Sequence, residues 1–174
     1  MQSVNIPRER ARKLRGHKEL VDKIEKLCGC SIGFGDDDII EITGAAFAEY
    51  SARNIVYAFG RGFECDIACK LHDNEYYFNS IDLAQLISSD KRIKQVKARI
   101  IGESGKTKRY IEGVSSAKLS VYGDTVSFIG TIEEINEAET AVNTLIEGGT
   151  HRLAYARMEA AHRKNKVAAK KAGF

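Results

Sequence analysis

The segment RIIGESGKTKRYIE, from Arg99 to Glu112, places Gly102 and Gly105 three residues apart, between an apolar pair and a basic run. One glycine is enough for an ordinary surface turn, because only one position of such a turn usually needs a left-handed backbone. A second glycine at this spacing indicates that the backbone has a further requirement, which a turn alone does not explain. The segment therefore predicts a loop with a task beyond reversing the chain.

The composition predicts a globular chain with one large or two small domains. The chain has 174 residues, of which 43% are hydrophobic, so either arrangement can bury a core. No apolar run approaches the roughly 20 residues of a membrane helix, and no apolar stretch follows the arginines near the N-terminus. We therefore expect a cytoplasmic protein that does not contact a membrane, with its four cysteines reduced. Small buried thiols are favoured over a metal site, because neither Cys28-Gly-Cys30 nor Cys65 and Cys69 with His72 has zinc-ligand spacing.

The charged residues are distributed unevenly, although the formal net charge is only +3. Eight basic and two acidic residues lie in 91–112, and seven basic and one acidic residue lie in 151–174. Residues 36–90 instead carry three basic and eleven acidic side chains. Two interpretations stay open for each basic run, a solvated surface or a contact with a polyanion. The position of the first run beside the two glycines favours the polyanion.

The two halves of the chain are similar in sequence. An offset of 87 pairs Leu14 with Ile101 and Ile32 with Leu119 when residues 13–44 are aligned with 99–130. The offset falls to 86 after the acidic run Asp36–Asp38. A repeat of half the chain predicts two tandem copies of one small unit rather than a solenoid, which needs several short repeats.

Each copy has the same predicted order of strand, helix, loop, helix, hairpin and helix. In the second copy, Ser88-Ser89-Asp90 offers a helix N-cap, and Thr131 with Glu134 forms a capping box. Gly123-Asp124 predicts a tight hairpin turn. The predicted elements are 3–6, 8–15, 19–27, 30–34, 39–43 and 47–59 in the first copy, a linking helix at 64–71, and 76–83, 91–100, 106–114, 118–122, 125–129 and 131–148 in the second.

This order, with Gly-x-x-Gly between the first two helices, resembles a type I KH domain. The resemblance implies an α+β fold of two tandem type I KH domains (βααββα), the first with a degenerate Gly-x-x-Gly loop. The implied domains are 1–62 and 76–150, joined by a linker helix at 63–75 and followed by a C-terminal helix and basic tail at 151–174. That helix is predicted to pack by Leu153 and Met158, and the tail beyond Ala161 to be mobile or frayed.

The segments VKARIIGESGKTKRYIE, LSVYGDTVSFIG and AVNTLIEGGTHRLAYARME are similar to a family of archaeal and eukaryotic KH-domain proteins in pre-ribosomal RNA processing. The resemblance covers essentially the whole chain. It implies a non-catalytic protein of ribosome biogenesis that binds the 3′ region of small-subunit (pre-)16S rRNA. It also implies a PIN-domain endonuclease as partner and suggests contact with the alpha subunit of translation initiation factor two. No cofactor is expected.

The chemistry of residues 102–105, called the GxxG loop below, fits this function. Without Cβ atoms at the two glycines a sugar-phosphate backbone can approach the main chain, and the following helix presents its N–H groups to phosphate oxygens. Glu103 departs from the expected pattern, since its carboxylate repels phosphate. We expect Asp at both glycines to abolish RNA binding without disturbing the fold. The predicted RNA-binding residues are Lys97, Arg99, Ile101, Gly102, Glu103, Ser104, Gly105, Lys106, Lys108 and Arg109, and the apolar groove for bases is predicted at Ile100, Ile101, Ile111, Leu119 and Val121.

The first copy lacks both glycines, with Arg15, Gly16, His17 and Lys18 aligned to the loop. It is predicted to be a scaffold, or alternatively an extension of the basic surface. No catalytic motif is present, since GESGKT lacks the spacing of a phosphate-binding loop and the histidines lack an acid-base arrangement. Two other functions remain open: a KH-based protein-interaction adaptor, and an RNA-binding subunit of another RNA-processing or degradation complex.

Overall fold

The computed structural model describes residues 1–35 and 39–171. The acidic run Asp36–Asp38, which the sequence predicts to be solvated turn residues rather than a metal site, lies outside the described residues. The chain divides into two compact units, Met1–Phe78 and a second that begins at Asn79. Among the described residues, the helices are all too short or too polar to span a membrane.

The first unit is a three-stranded antiparallel sheet covered by helices. Its sheet order is β1-β3-β2, with Ile42 facing Gln2 on one side and Ile32 on the other. Leu14, Ile24 and Phe59, one from each main helix, are completely buried. The elements are β1 (Gln2–Val4), α1 (Arg8–Gly16), α2 (Lys18–Cys28), β2 (Cys30–Phe34), β3 (Ile40–Gly44), α3 (Ala46–Gly60), α4 (Cys65–Ala68) and a 3-10 turn (Cys69–His72).

The second unit repeats this order, with one short extra helix after its first strand and a further helix at its end. Its sheet order is β4-β6-β5, so the last strand again lies in the centre. The core brings together Ile100, Ile111 and Phe128 from a helix, the next helix and the central strand. The elements are β4 (Tyr77–Asp82), α5 (Leu83–Leu86), α6 (Asp90–Ile101), a 3-10 turn (Glu103–Gly105), α7 (Lys106–Ser115), β5 (Lys118–Tyr122), β6 (Thr125–Gly130), α8 (Ile132–Ile146) and α9 (His151–Lys171).

Local sequence features set the ends of several elements in the second unit. The predicted N-cap at Ser89 and the capping box of Thr131 with Glu134 are both confirmed. The predicted hairpin is also confirmed, with Tyr122 paired to Thr125 across the two-residue turn. The strand predicted for 76–83 ends at Asp82 instead, because the Asp82 side chain accepts a hydrogen bond from the Ala84 amide and starts α5.

One hydrogen bond recurs at the positions that the internal repeat aligns. In the first unit, a Glu25 carboxylate oxygen accepts a hydrogen bond from the Ile32 amide at 2.7 Å. In the second, Glu112 accepts one from the Leu119 amide at 2.9 Å. Each bond ties the helix before the hairpin, α2 or α7, to the strand that follows. Each also satisfies an amide of that strand that is partly shielded from water.

Between α1 and α6, the equivalent core residues are not the ones that the sequence alignment pairs. The sequence alignment pairs Leu14 with Ile101, but Leu14 is completely buried and Ile101 is 38% exposed. Burial instead pairs Leu14 with the buried Ile100. The span from the last buried residue of the first helix to the next core isoleucine, Ile24 or Ile111, is therefore one residue shorter in the first unit. The predicted pairing of Leu14 with Ile101 was wrong because two adjacent isoleucines fit the apolar pattern equally well.

The C-terminal helix is longer than the sequence predicts, and its predicted packing is confirmed for Met158 but wrong for Leu153. Ala154 and Met158 are completely buried, whereas Leu153 is 42% exposed. The helix continues to Lys171, although its apolar pattern ends near Ala161. The buried Glu137 of α8 supports the extension as far as Asn165, because its carboxylate hydrogen-bonds His162 and Asn165, each at 2.8 Å. Side chains of 166–171 are exposed.

We predict that Glu112→Ala lowers the free energy of unfolding by about 1–2 kcal/mol, because the partly buried Leu119 amide loses its acceptor. Glu112→Gln is the matched control, since its amide oxygen still accepts and most of the stability should return. Urea denaturation of the three proteins measures both changes. Equal stability of the Ala and Gln variants would show that the hydrogen bond contributes nothing.

Candidate nucleic-acid interface

The GxxG loop connects α6 to α7 through backbone conformations that favour glycine. Gly102 ends α6 with φ 73° and ψ 172°, a combination that is essentially restricted to glycine. Gly105 is left-handed at φ 76° and ψ 14°. Ser104 is also left-handed, at φ 49°. Three of the four loop residues therefore have positive φ, and the loop leads directly into the N-terminus of α7.

Gly102 also lies against the first turn of α7. A Cβ atom at this position would overlap Oγ1 of the buried Thr107 and lie 2.7 Å from its backbone nitrogen. At Gly105 the nearest neighbour of a Cβ atom would be the flexible Arg109 side chain, at 3.2 Å. The expectation that Asp at both glycines spares the fold was therefore wrong for Gly102, because the added atoms would displace a buried residue.

The cations on α7 lie next to the loop. Lys106 and Arg109 are exposed and Lys108 is half-buried. Arg109 Nη1 donates a 2.7 Å hydrogen bond to the Ser104 carbonyl, so this side chain reaches back to the loop from the next turn. The first N–H groups of a helix have no partner within the helix and attract anions, a tendency that nearby Lys and Arg side chains reinforce. Glu103, exposed within the loop, opposes it.

Lys97 and Arg99 are predicted phosphate contacts, but both hold parts of the fold together. Lys97 Nζ donates to the Gly123 carbonyl at 2.7 Å and to an Asp124 carboxylate oxygen at 2.9 Å, across the hairpin turn. Arg99 donates from Nη1 to the Leu145 carbonyl at 3.0 Å and from Nη2 to the Gly149 carbonyl. A phosphate would have to compete with these bonds.

The predicted apolar groove is largely part of the core. Ile100 and Ile111 are completely buried and Leu119 is 2% exposed, so the prediction that these three line a base-binding surface was wrong. Ile101, beside the loop, is 38% exposed, and Val121 is half-buried. These two side chains retain apolar surface that a base can contact.

The first unit has no comparable loop between its first two helices. Gly16 belongs to the end of α1, His17 alone separates the helices, and Lys18 begins α2. The Arg15 guanidinium donates to the Gly35 carbonyl at 3.3 Å and lies 5.1 Å from the Phe34 ring centre. Side chains therefore occupy the region between the helix junction and the hairpin.

A cluster in the first unit that the sequence did not predict contains Cys28, Ser51 and His72. Ser51 Oγ lies 3.0 Å from His72 Nδ1, and the Cys28 thiol donates to Ser51 Oγ at 3.7 Å. Burial raises the pKa of the Cys28 thiol, which disfavours the nucleophilic thiolate, and Ser51 is only 3% exposed. The cluster fits packing rather than nucleophilic catalysis. Within 1–35 and 39–171, no group of three or more His, Cys, Asp or Glu residues could hold a metal ion.

Comparisons with known proteins agree with this geometry. The matching family model is described as a eukaryotic type KH-domain (KH-domain type I) and covers residues 77–163. A KH domain-containing protein of Methanocaldococcus jannaschii is 39% identical over 95% of this chain and 75% of its own length. The RNA-binding protein pno1 of Dictyostelium discoideum is 28% identical over 62% of this chain. The pre-rRNA-processing protein pno1 of Aspergillus fumigatus is 29% identical over 55%. These two alignments span only 46% and 39% of the eukaryotic proteins.

Two solved archaeal structures share the fold along nearly the whole chain. Dim2p from Pyrococcus horikoshii superposes with a TM-score of 0.82 at 35% identity, over 91% of this chain and 98% of that one. A chain of the a/eIF2alpha-aDim2p-rRNA complex from the same organism gives 0.83 at 32% identity, over 94% of both chains.

The strand order, the GxxG loop and the matched family model define residues 77–163 as a type I KH domain. The whole chain belongs to the Pno1/Dim2 family of KH-domain proteins, whose members include RNA-binding and pre-rRNA-processing proteins.

We predict that Gly102→Ala costs about 2–4 kcal/mol of stability, because backbone strain and the clash with Thr107 add together. Gly105→Ala should cost only about 1–2 kcal/mol, the penalty of a left-handed alanine. Chemical denaturation of the two single variants measures the difference. Equal losses would contradict the special position of Gly102.

Proposed function

We propose that this protein is a non-catalytic RNA-binding factor of small-subunit ribosome biogenesis. It binds the 3′ region of (pre-)16S rRNA as a single strand, through the GxxG loop of its second unit. The RNA backbone lies against Gly102 and Gly105, the N-terminus of α7 and its cations bind phosphate oxygens, and bases contact Ile101 and Val121.

The observation that carries this proposal is the backbone of the GxxG loop. Gly102 adopts a conformation essentially restricted to glycine and lies against a buried threonine, so the loop is built into the fold rather than left as a flexible turn. A KH domain uses a loop of this sequence to hold about four nucleotides of backbone. Lys106, Lys108 and Arg109, on the first turn of the following helix, supply the charge that a phosphate backbone requires.

The family supports the choice of RNA and of process. Relatives are named as RNA-binding and pre-rRNA-processing proteins, and a structural neighbour is solved in a complex with rRNA and a/eIF2alpha. We extend the same partners to this chain, including the alpha subunit of translation initiation factor two. We also propose a PIN-domain endonuclease as a partner, as the sequence resemblance implies. The proposed site of action is the cytoplasm.

We further propose that the chain is a tandem of type I KH domains in which only the second binds RNA by its loop. The first unit repeats the strand order and the helix-to-strand hydrogen bond of the second. Its helix junction has a single linking residue, and Arg15 lies over the hairpin, so a phosphate backbone has no glycine surface to approach. The first unit is therefore a scaffold.

One observation favours the alternative of a protein-interaction adaptor. Lys97 and Arg99 are engaged within the fold, and Glu103 adds a negative charge to the loop itself, so the charge available for phosphate is smaller than the sequence suggests. An adaptor would not depend on the charge of the GxxG loop. A role as the RNA-binding subunit of another processing or degradation complex would share the loop chemistry but differ in the bound RNA.

The proposal predicts that Ser104→Asp weakens binding to an oligonucleotide of the 16S rRNA 3′ end by about tenfold or more, because the added carboxylate faces the phosphate backbone. Ser104→Asn is the matched control, since Asn has nearly the same shape and both residues tolerate the left-handed backbone at φ 49°. Filter retention at low and moderate salt compares both with the unmodified protein.

Three outcomes decide between the functions. Loss with Asp but not with Asn supports binding by the loop. No retention of the unmodified protein, even at low salt, favours the adaptor. Equal retention of a 3′-end oligonucleotide and one of shuffled sequence contradicts the choice of 16S rRNA and favours a general RNA-binding subunit.

The basic end of α9 generates a separate prediction. Deletion of residues 166–174 removes Lys166, Lys170 and Lys171 but keeps Asn165 on Glu137. Thermal stability should be nearly unchanged. The negative slope of log affinity against log salt should become less steep by up to about 2, because each phosphate that a lysine neutralises on a single strand contributes about −0.7 to it. An unchanged slope would show that these lysines do not contact RNA.

A further inference from the structure

Helix α9 contacts the region of the GxxG loop through side chains that lie far from the loop in the sequence. The Tyr155 hydroxyl donates a hydrogen bond to Thr107 Oγ1 at 3.3 Å. This is the same oxygen that a Cβ atom on Gly102 would overlap. Tyr155 on α9, Thr107 on α7 and the backbone of Gly102 therefore form one continuous line of contacts.

A second contact joins α9 to the last turn of α6, before the loop. His151 Nε2 lies 3.0 Å from the Arg99 carbonyl oxygen, so the imidazole donates to one of the last carbonyls of α6, which have no partner within that helix. The Arg99 guanidinium in turn donates to the Leu145 and Gly149 carbonyls, at the junction of α8 and α9. Both ends of the loop are thus tied to the same helix.

The side chains around Tyr155 hold it in place on α9. The Tyr155 and Tyr110 ring centres are 4.2 Å apart, and the Tyr110 hydroxyl donates to Glu159. Ala154 and Met158, which flank Tyr155 along the helix, are completely buried in the core of the second unit. Tyr155 therefore has little freedom to move away from Thr107.

We propose that α9 is a brace for the GxxG loop, and that Tyr155 is a positioning residue that holds the loop through Thr107. The part of this inference that concerns RNA rests on the proposed function. The brace fixes the direction of the first turn of α7, and with it the N–H groups that meet phosphate. Because this effect is geometric, it changes affinity without changing the number of ionic contacts.

The test replaces Tyr155 with Phe, which removes one hydroxyl and keeps the ring and its packing. Exchange of the Gly102 and Gly105 amides, which donate to Ala98 and Gly102, should become about two- to tenfold faster, the range expected for loss of one hydrogen bond. Amides of the β5–β6 hairpin should keep their rates, whereas a general loss of stability would accelerate all of them. RNA affinity should fall by a similar factor with an unchanged salt slope.

Two further variants show whether the effect passes through Thr107. Thr107→Val removes the accepting oxygen and keeps the branched shape, so Tyr155→Phe should have no additional effect in that background. Tyr57→Phe is the control in the first unit. The tyrosine hydroxyl there accepts a hydrogen bond from Arg61, the residue that follows α3, and its removal should leave exchange of the GxxG loop unchanged.

The outcomes separate this inference from the proposed function. Unchanged loop exchange in Tyr155→Phe, or additive effects in the double variant, would overturn the brace. Faster loop exchange with unchanged RNA affinity would overturn its role in binding. If the unmodified protein binds no RNA, the proposed function is wrong and the RNA part of the inference falls with it, while the exchange rates still decide whether α9 holds the loop.

Discussion

The close packing of the Gly102 backbone against Thr107 is the constraint on which the candidate interface depends. A Cβ atom there would overlap a buried side chain, so α6 can turn into α7 in this way only with glycine at the junction. Gly105 meets a weaker constraint, since its nearest side chain is flexible. The two glycines of the motif therefore have different tasks. The first sets how the helices meet, and the second leaves room beside the start of α7.

The two units show how one architecture can keep its fold while its loops diverge. Glu25 and Glu112 tie helix to strand in the same way, and both sheets have the same order. The helix junctions differ, with His17 alone between the helices of the first unit and residues 102–105 between α6 and α7. In the first unit, the Arg15 side chain lies beside the short junction and donates to the Gly35 carbonyl. The two units therefore share their sheet order and their helix-to-strand hydrogen bond but differ at the helix junction.

The sequence predicted the order of elements, the capping box and the hairpin, because each depends on residues close together in the chain. It did not predict which of two adjacent isoleucines, Ile100 or Ile101, enters the core, since both fit a helical stripe. The continuation of α9 to Asn165 also escaped prediction, because its contacts are with Glu137, more than twenty residues away. The same reason applies to the candidate site. Glycines and cations are visible in the motif, but the contacts of Lys97, Arg99 and Tyr155 form only across the fold.

The link from Lys97 to the hairpin turn has a consequence for the kinetics of recognition. Its bonds to Gly123 and Asp124 join α6 to the β5–β6 turn, which is only two residues long. The surface between helix and hairpin is therefore set before any ligand arrives, and little conformational entropy remains to be lost on association. Under the proposed function, an RNA strand would meet this preorganised surface without a slow rearrangement of the protein. Encounter frequency, raised by long-range electrostatic attraction, would then limit the association rate, and differences among sequences would be expressed mainly as dissociation rates.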